Sequence, residues 1–196
     1  IAIDSNNVPY VSYEDTSVNY RATVMKYNGV NWVTVGNAGF SAGGVNYITL
    51  AIDRNNTPFV FFQDAANGYK ATVMKFNGTN WVIVGNAGFS AGEVLFTSIA
   101  IGSNNIPYVA YQDIANQVRA TVMRFNGTAW ETVGNAGFSA DGVSDVSIAL
   151  DNNNIPYVVF HDYANDGNVT VMKFNGSSWV TLGCPISSRP QRIREL

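Results

Sequence analysis

The sequence predicts an all-β fold: a β-propeller of four-stranded antiparallel blades, four blades per chain. Three observations lead there. The 196 residues repeat four times at a spacing of 49, which Pro9, Pro58, Pro107 and Pro156 mark, as do all four tryptophans and all four methionines. Each repeat holds four β-prone segments joined by three short turns and one long connection. Those segments carry apolar residues on both faces. Self-similarity at a period of 20–50 residues signals units that bury their apolar faces only against neighbours.

The second repeat shows the elements in order. Val45 to Ile52 is rich in β-formers and reads as a first strand. Asp53-Arg54-Asn55-Asn56 follows as a turn, since Asn and Asp tolerate left-handed backbone. Pro58 opens a second strand, Phe59 to Gln63, at the position where a strand accepts a residue without an N–H. Asp64 to Tyr69 form a loop and Lys70 to Phe76 a third strand. Asn77-Gly78 reads as a type I′ hairpin turn, and it recurs as Asn28-Gly29, Asn126-Gly127 and Asn175-Gly176. Trp81 to Val84 is the fourth strand. The long connection, Asn86 to Gly92, returns the chain to the next inner strand; it matches Asn37 to Gly43 and Asn135 to Ala140.

In the third strand Thr72, Met74 and Phe76 alternate with Ala71 and Val73, so the sheet needs cover on both sides. Blades around an axis supply that cover. β-helices use shorter coils, leucine-rich repeats include a helical segment, and no helical periodicity occurs here. Residues 1–183 read as one propeller domain of repeats 1–49, 50–98, 99–147 and 148–183, with a non-repeat tail at 184–196. After Gly183 the connection motif gives way to Cys184-Pro185-Ile186-Ser187-Ser188-Arg189, which supports four blades as the set in this chain. The alternative is two chains forming an eight-bladed ring.

Composition narrows the function classes. Hydrophobic residues make up 46% and charged residues 13%, about half the usual charged fraction, with Gly, Asn, Ser and Thr at the polar positions. A net charge of −3 gives no electrostatic pull toward nucleic acid or anionic lipid. No apolar run approaches the roughly 20 residues of a membrane helix. Cys184 is the single cysteine, so no disulfide framework forms within one chain. The chain opens at Ile1 inside a strand, without Met or signal peptide, which suggests a processed N-terminus or a section of a longer protein. The amide- and hydroxyl-rich surface suits an extracellular or cell-surface location.

The motif Ala-Ile-Asp-x-Asn-Asn-x-Pro-Tyr-Val with Met-Lys-Phe-Asn-Gly-Thr-x-Trp differs from the hemopexin repeat. It resembles bacterial extracellular β-propeller repeats with near-identical blades, over residues 1–183. Related propellers include several lectins, so the resemblance implies architecture first and glycan binding only by association.

Each candidate site has a structural alternative. Trp32, Trp81, Trp130 and Trp179 can stack on a sugar ring or staple neighbouring blades. Asp15, Asp64, Asp113 and Asp162 end the second strand of every repeat; they can ring one face as sugar or cation ligands, or cap a turn through backbone N–H groups. Asp4, Asp53 and Asp151 precede Asn-rich turns, but the calcium-loop spacing fails and Gly102 stands in the third repeat. Lys26, Lys75, Arg124 and Lys173 read as solvated stems along the sheet. The Gly-Asn-Ala-Gly-Phe-Ser-Ala connection can line a pocket, or plug Phe40, Phe89 and Phe138 between blades. The Asn-Gly-Thr/Ser sequons at Asn77, Asn126 and Asn175 coincide with a turn that demands Asn-Gly anyway.

No metal or cofactor is expected. Catalysis is not expected either: the one histidine, His161, aligns with Glu14, Gln63 and Gln112, and no repeat departs sharply from the rest. The leading expectation is a non-catalytic, lectin-like module with repeated carbohydrate sites that gain avidity on multivalent glycans. Its expected partners are glycans or another surface protein, and its state monomer or ring-completing homodimer. A structural or adhesive section of a larger surface protein is the alternative; a glycosidase or lyase comes last.

Overall fold

The computed structural model describes residues 1–183; the tail expected at 184–196, with Cys184, lies outside the described residues. Sixteen strands form four separate antiparallel meanders, each in sequence order. Blade 1 holds β1 (Ala2–Ile3), β2 (Pro9–Asp15), β3 (Arg21–Tyr27) and β4 (Trp32–Thr34). Blade 2 holds β5 (Val45–Ile52), β6 (Pro58–Asp64), β7 (Lys70–Phe76) and β8 (Trp81–Ile83). Blade 3 holds β9 (Val94–Ile101), β10 (Pro107–Asp113), β11 (Arg119–Phe125) and β12 (Trp130–Thr132). Blade 4 holds β13 (Val143–Leu150), β14 (Pro156–Asp162), β15 (Asn168–Phe174) and β16 (Trp179–Thr181). The predicted four-stranded blades are therefore present, and the inner strand β9 packs between the inner strands β5 and β13.

Three local features go beyond the sequence reading. A single turn of 3₁₀ helix links the second and third strands of every blade. A β-bulge breaks the inner strand where Tyr47, Phe96 and Asp145 take φ of 50°, 47° and 51°. The Asn-Gly turns are corrected from type I′ hairpins to four-residue loops. Tyr27 pairs with Trp32, Asn28 Oδ1 accepts from the backbone N–H of Val30 and Asn31, and only Gly29 has positive φ. A carboxamide closing its own loop removes the need for positive φ at both central residues.

The turn between first and second strands is equally self-contained. Asp53 Oδ1 accepts from Asn55 N (2.9 Å) and Thr57 N (2.8 Å), and Asp4 and Asp151 do the same in their blades. A side chain at Gly102 would place Cβ 2.5 Å from Asn104 Oδ1, which itself accepts from Ile106 N. One carboxamide thus takes over part of the missing carboxylate's role.

Each blade has a leading face toward the preceding blade and a trailing face toward the next. Three buried clusters join blades 1 to 2, 2 to 3 and 3 to 4. In the first, Ala22, Val24 and Val35 of blade 1 meet Val60, Phe62, Met74 and Trp81 of blade 2. Among the described residues no buried cluster joins blade 4 back to blade 1. The four blades per chain expected from the sequence are therefore present, joined in a row by three buried junctions among the described residues.

Candidate functional site: pockets between blades

Three pockets recur between successive blades, at the end of the sheets carrying the Asn-Gly loops. From the blade in front comes one aromatic edge (Tyr10, Phe59 or Tyr108). The same blade supplies an aliphatic floor (Val35, Val84 or Val133). The next blade contributes Asn56, Asn105 or Asn154, the proline that follows, a half-buried Phe, and the Asn-Gly loop. Cavity volumes are about 470, 280 and 190 Å³ in chain order.

The sheet register explains this composition. Tyr10 lies opposite Lys26, Phe59 opposite Lys75 and Tyr108 opposite Arg124, so ring and cation share one face of each blade. Lys75 Nζ stands 6.0 Å from the centroid of the Phe59 ring. Arg124 Nε meets Glu131 Oε1 at 2.7 Å; that bond, then one with Tyr108, holds the guanidinium above its ordinary range. The bond from Arg124, followed by one from Asn126, keeps the Glu131 carboxyl below its usual value. Burial, and secondarily Asp4, raises the Tyr10 hydroxyl, which stays a neutral donor.

The left-handed asparagine is also a clamp. Asn56 Oδ1 accepts from Ser5 N (2.9 Å), Asn105 Oδ1 from Arg54 N (3.3 Å) and Asn154 Oδ1 from Ser103 N (2.6 Å). Each Asn thus ties the turn of one blade to the next beside the pocket, with φ near 60°.

The residues singled out from sequence lie elsewhere. Trp81, Trp130 and Trp179 donate their indole N–H to the carbonyls of Val35, Val84 and Val133, each at 2.8 Å. Phe40, Phe89 and Phe138 from the long connections stack on them at 4.3 to 4.5 Å. The indoles are staples between blades, stacked on the connection Phe and met at a tilt by the Phe of the third strand. Trp32 is the exception: it is 43% exposed, with Tyr27 its ring partner among the described residues.

Asp15, Asp64 and Asp162 cap the 3₁₀ turns through a backbone N–H, and Asp113 does not. Asp64 accepts from Ala66 N (3.1 Å), Asn67 Nδ2 (2.8 Å) and Thr72 Oγ1 (2.8 Å), and Thr72 Oγ1 in turn accepts from Gly88 N of the long connection. Asp15 and Asp162 are held in like fashion; Asp113 keeps its bonds to Asn116 and Thr121 but has an unpaired buried Oδ1. Their carboxylates pin the connection to the sheet. Among the described residues no three His, Cys, Asp or Glu side chains converge as metal ligands, and no helix is long and apolar enough to cross a membrane.

His161 lies at the opposite end of blade 4. Its Nδ1 is 3.1 Å from Asp145 Oδ2, and Ser144 Oγ donates to that same oxygen at 3.1 Å. The hydroxyl bonds the carboxylate and not the imidazole, so no nucleophile–base relay is formed.

No family model and no curated protein matches the chain. Solved structures do match it in fold. AofleA of Arthrobotrys oligospora, as a triple arginine-to-alanine mutant, is 14% identical over 96% of this chain and 57% of its own, with a TM-score of 0.68. The Aleuria aurantia lectin, a six-bladed β-propeller, is 13% identical over 96% of this chain and 62% of its own, with a TM-score of 0.65. A thermostable family-43 glycoside hydrolase is 13% identical over 96% and 75%, at 0.59. The chain spans less than two thirds of the first two. At these identities the likeness shows a propeller fold built from repeated blades.

Proposed function

We propose that this chain is a non-catalytic glycan-binding module, extracellular or at the cell surface, whose sites are the three inter-blade pockets. The observation carrying this reading is their repetition: the same aromatic edge, cation, carboxamide and loop backbone meet at every interface inside the chain. A pyranose presents C–H patches and hydroxyl pairs. An aromatic edge with an aliphatic floor suits the former, and amides and a cation suit the latter. The same fold carries fucose recognition in the Aleuria aurantia lectin, which supports a monosaccharide-sized ligand. Recurrent weak sites gain strength on branched or polymeric glycans by avidity.

Calorimetry with α-methyl-L-fucoside and a panel of monosaccharides, followed by a glycan array, tests the reading. Binding at up to three sites is expected. Lys75→Ala alters an exposed side chain that lines two of the pockets and should weaken them roughly 2- to 10-fold, the worth of one hydrogen bond. Absence of any hit on array and panel refutes it.

A further inference from the structure

The three pockets repeat in outline and differ in charge. In the first, Lys26 of blade 1 and Lys75 of blade 2 line one cavity of about 470 Å³, and among the described residues no carboxylate lines it with them. The middle pocket, about 280 Å³, has Lys75 as its one cation, and the third, about 190 Å³, has Arg124. In a chain with a net charge of −3, two ammonium groups converge here without a counter-charge. Like charges around one cavity repel, and an anion between them relieves that repulsion.

Strand register shows what leaves these lysines free. Lys26 lies opposite Val33 and Lys75 opposite Val82, whereas Arg124 lies opposite Glu131. The guanidinium is spent on that neighbour, Nε to Oε1 at 2.7 Å, and does not line the middle pocket. Neither lysine has an ion pair among the described residues; Lys75 Nζ stands only over the Phe59 ring. The turn aspartates Asp4 and Asp53 are buried, and each accepts at Oδ1 from two backbone N–H groups of its own turn. A second difference points the same way. Thr57 stands in the first pocket where Ile106 and Ile155 stand in the other two, and its hydroxyl has no partner among the described residues.

We infer that the first pocket takes an acidic sugar of a glycan, one carrying a carboxylate or sulfate group, with Lys26 and Lys75 on the oxyanion and Thr57 on a ring hydroxyl. This rests on the glycan reading above and narrows it. An oxyanion between two ammonium groups accepts charge-assisted hydrogen bonds from both, while the apolar patch of the sugar lies on Val35 and the Tyr10 ring. The other two pockets, with an isoleucine wall and a single cation each, suit neutral sugars.

Calorimetry with matched pairs tests this: methyl β-D-glucuronide against methyl β-D-glucoside, and a sulfated galactoside against its unsulfated parent. At low salt the acidic member of at least one pair should bind at one site roughly 2- to 25-fold more tightly, the worth of two exposed ion pairs. That gain should shrink as salt rises. Which pair responds tells carboxylate from sulfate recognition. Lys26→Gln keeps most of the stem, removes the charge and should cut the preference. Val33→Glu sets a carboxylate opposite Lys26, as Glu131 is set opposite Arg124 in blade 3, and should cut it too while neutral sugars still bind. Melting curves check that both variants fold. Neutral sugars that bind as tightly as their acidic partners overturn the inference and leave the glycan reading standing, as does a preference that survives both variants. No binding by any of the four sugars counts against the glycan reading itself, and the inference falls with it.

Discussion

The middle blades and the end blades have nearly the same sequence and different surroundings. All seven residues of β6 and of β10 are buried, whereas in β2 only Tyr10 is. In β14 burial alternates, because blade 4 is covered on its leading face alone. The same tryptophan is a staple at 8% exposure in blade 2 and an uncovered ring in blade 1. In a repeat array the role of a residue is thus set by whether a neighbour exists, since stability divides into the blade and its junctions.

Truncating the staple separates the two settings most. Trp130→Ala removes a half-buried indole, its bond to Val84 and the stack on Phe89, and should cost about 3–5 kcal/mol. In a chain of this size that lowers the melting temperature by roughly 6–20 °C. Trp32→Ala, measured by the same scan, should cost about 1 kcal/mol or less. Equal losses would break the comparison.

The hydroxyl relay gives the next largest effect. Thr72→Val removes one of the bonds to the Asp64 carboxylate and leaves the Gly88 N–H without its acceptor, for about 1–3 kcal/mol by chemical denaturation. Thr23→Val strands Gly39 N similarly, but Asp15 regains water at the open flank, so the loss should be visibly smaller.

Acid sharpens the contrast further. Bonds from the Ser17 side chain first, then from Thr23, lower the Asp15 carboxyl below its ordinary 3.8. A carboxyl depressed in the folded state stabilises above its unfolded value, and that contribution is lost as pH falls through the folded one. Melting temperature followed from pH 6 downward should therefore drop below about pH 4, and Asp15→Asn should flatten that limb. Smallest is Gly102→Asp, which restores the carboxylate of the other blades. Its Cβ displaces only carboxamide ends, so stability should change by no more than about 0.5 kcal/mol.

The strand ladder was legible in the sequence because alternation, proline at strand starts and the repeat itself report local backbone preference. Lys70–Phe76 and Val45–Ile52 coincide with the observed strands. Less was legible of the site. The tryptophans read from sequence either as sugar platforms or as blade staples, and only the preceding blade's carbonyl decides between the two. The pocket aromatics and Asn56, Asn105 and Asn154 drew none. Their one signal is the recurring pairing of an aromatic after proline with a cation two residues before Asn-Gly. The Tyr47, Phe96 and Asp145 bulge left no signal, since bulky and acidic side chains are poor markers of left-handed backbone.

Sequence alone determined the blade: its four strands, its self-closing turns and its need for cover on two sides. Those follow from side-chain periodicity and from bonds made within a few residues. Only the tertiary structure decided which apolar faces are satisfied and where the pockets lie. Such properties belong to pairs of blades, and the mutual placement of two sheets is not written in the sequence of either one.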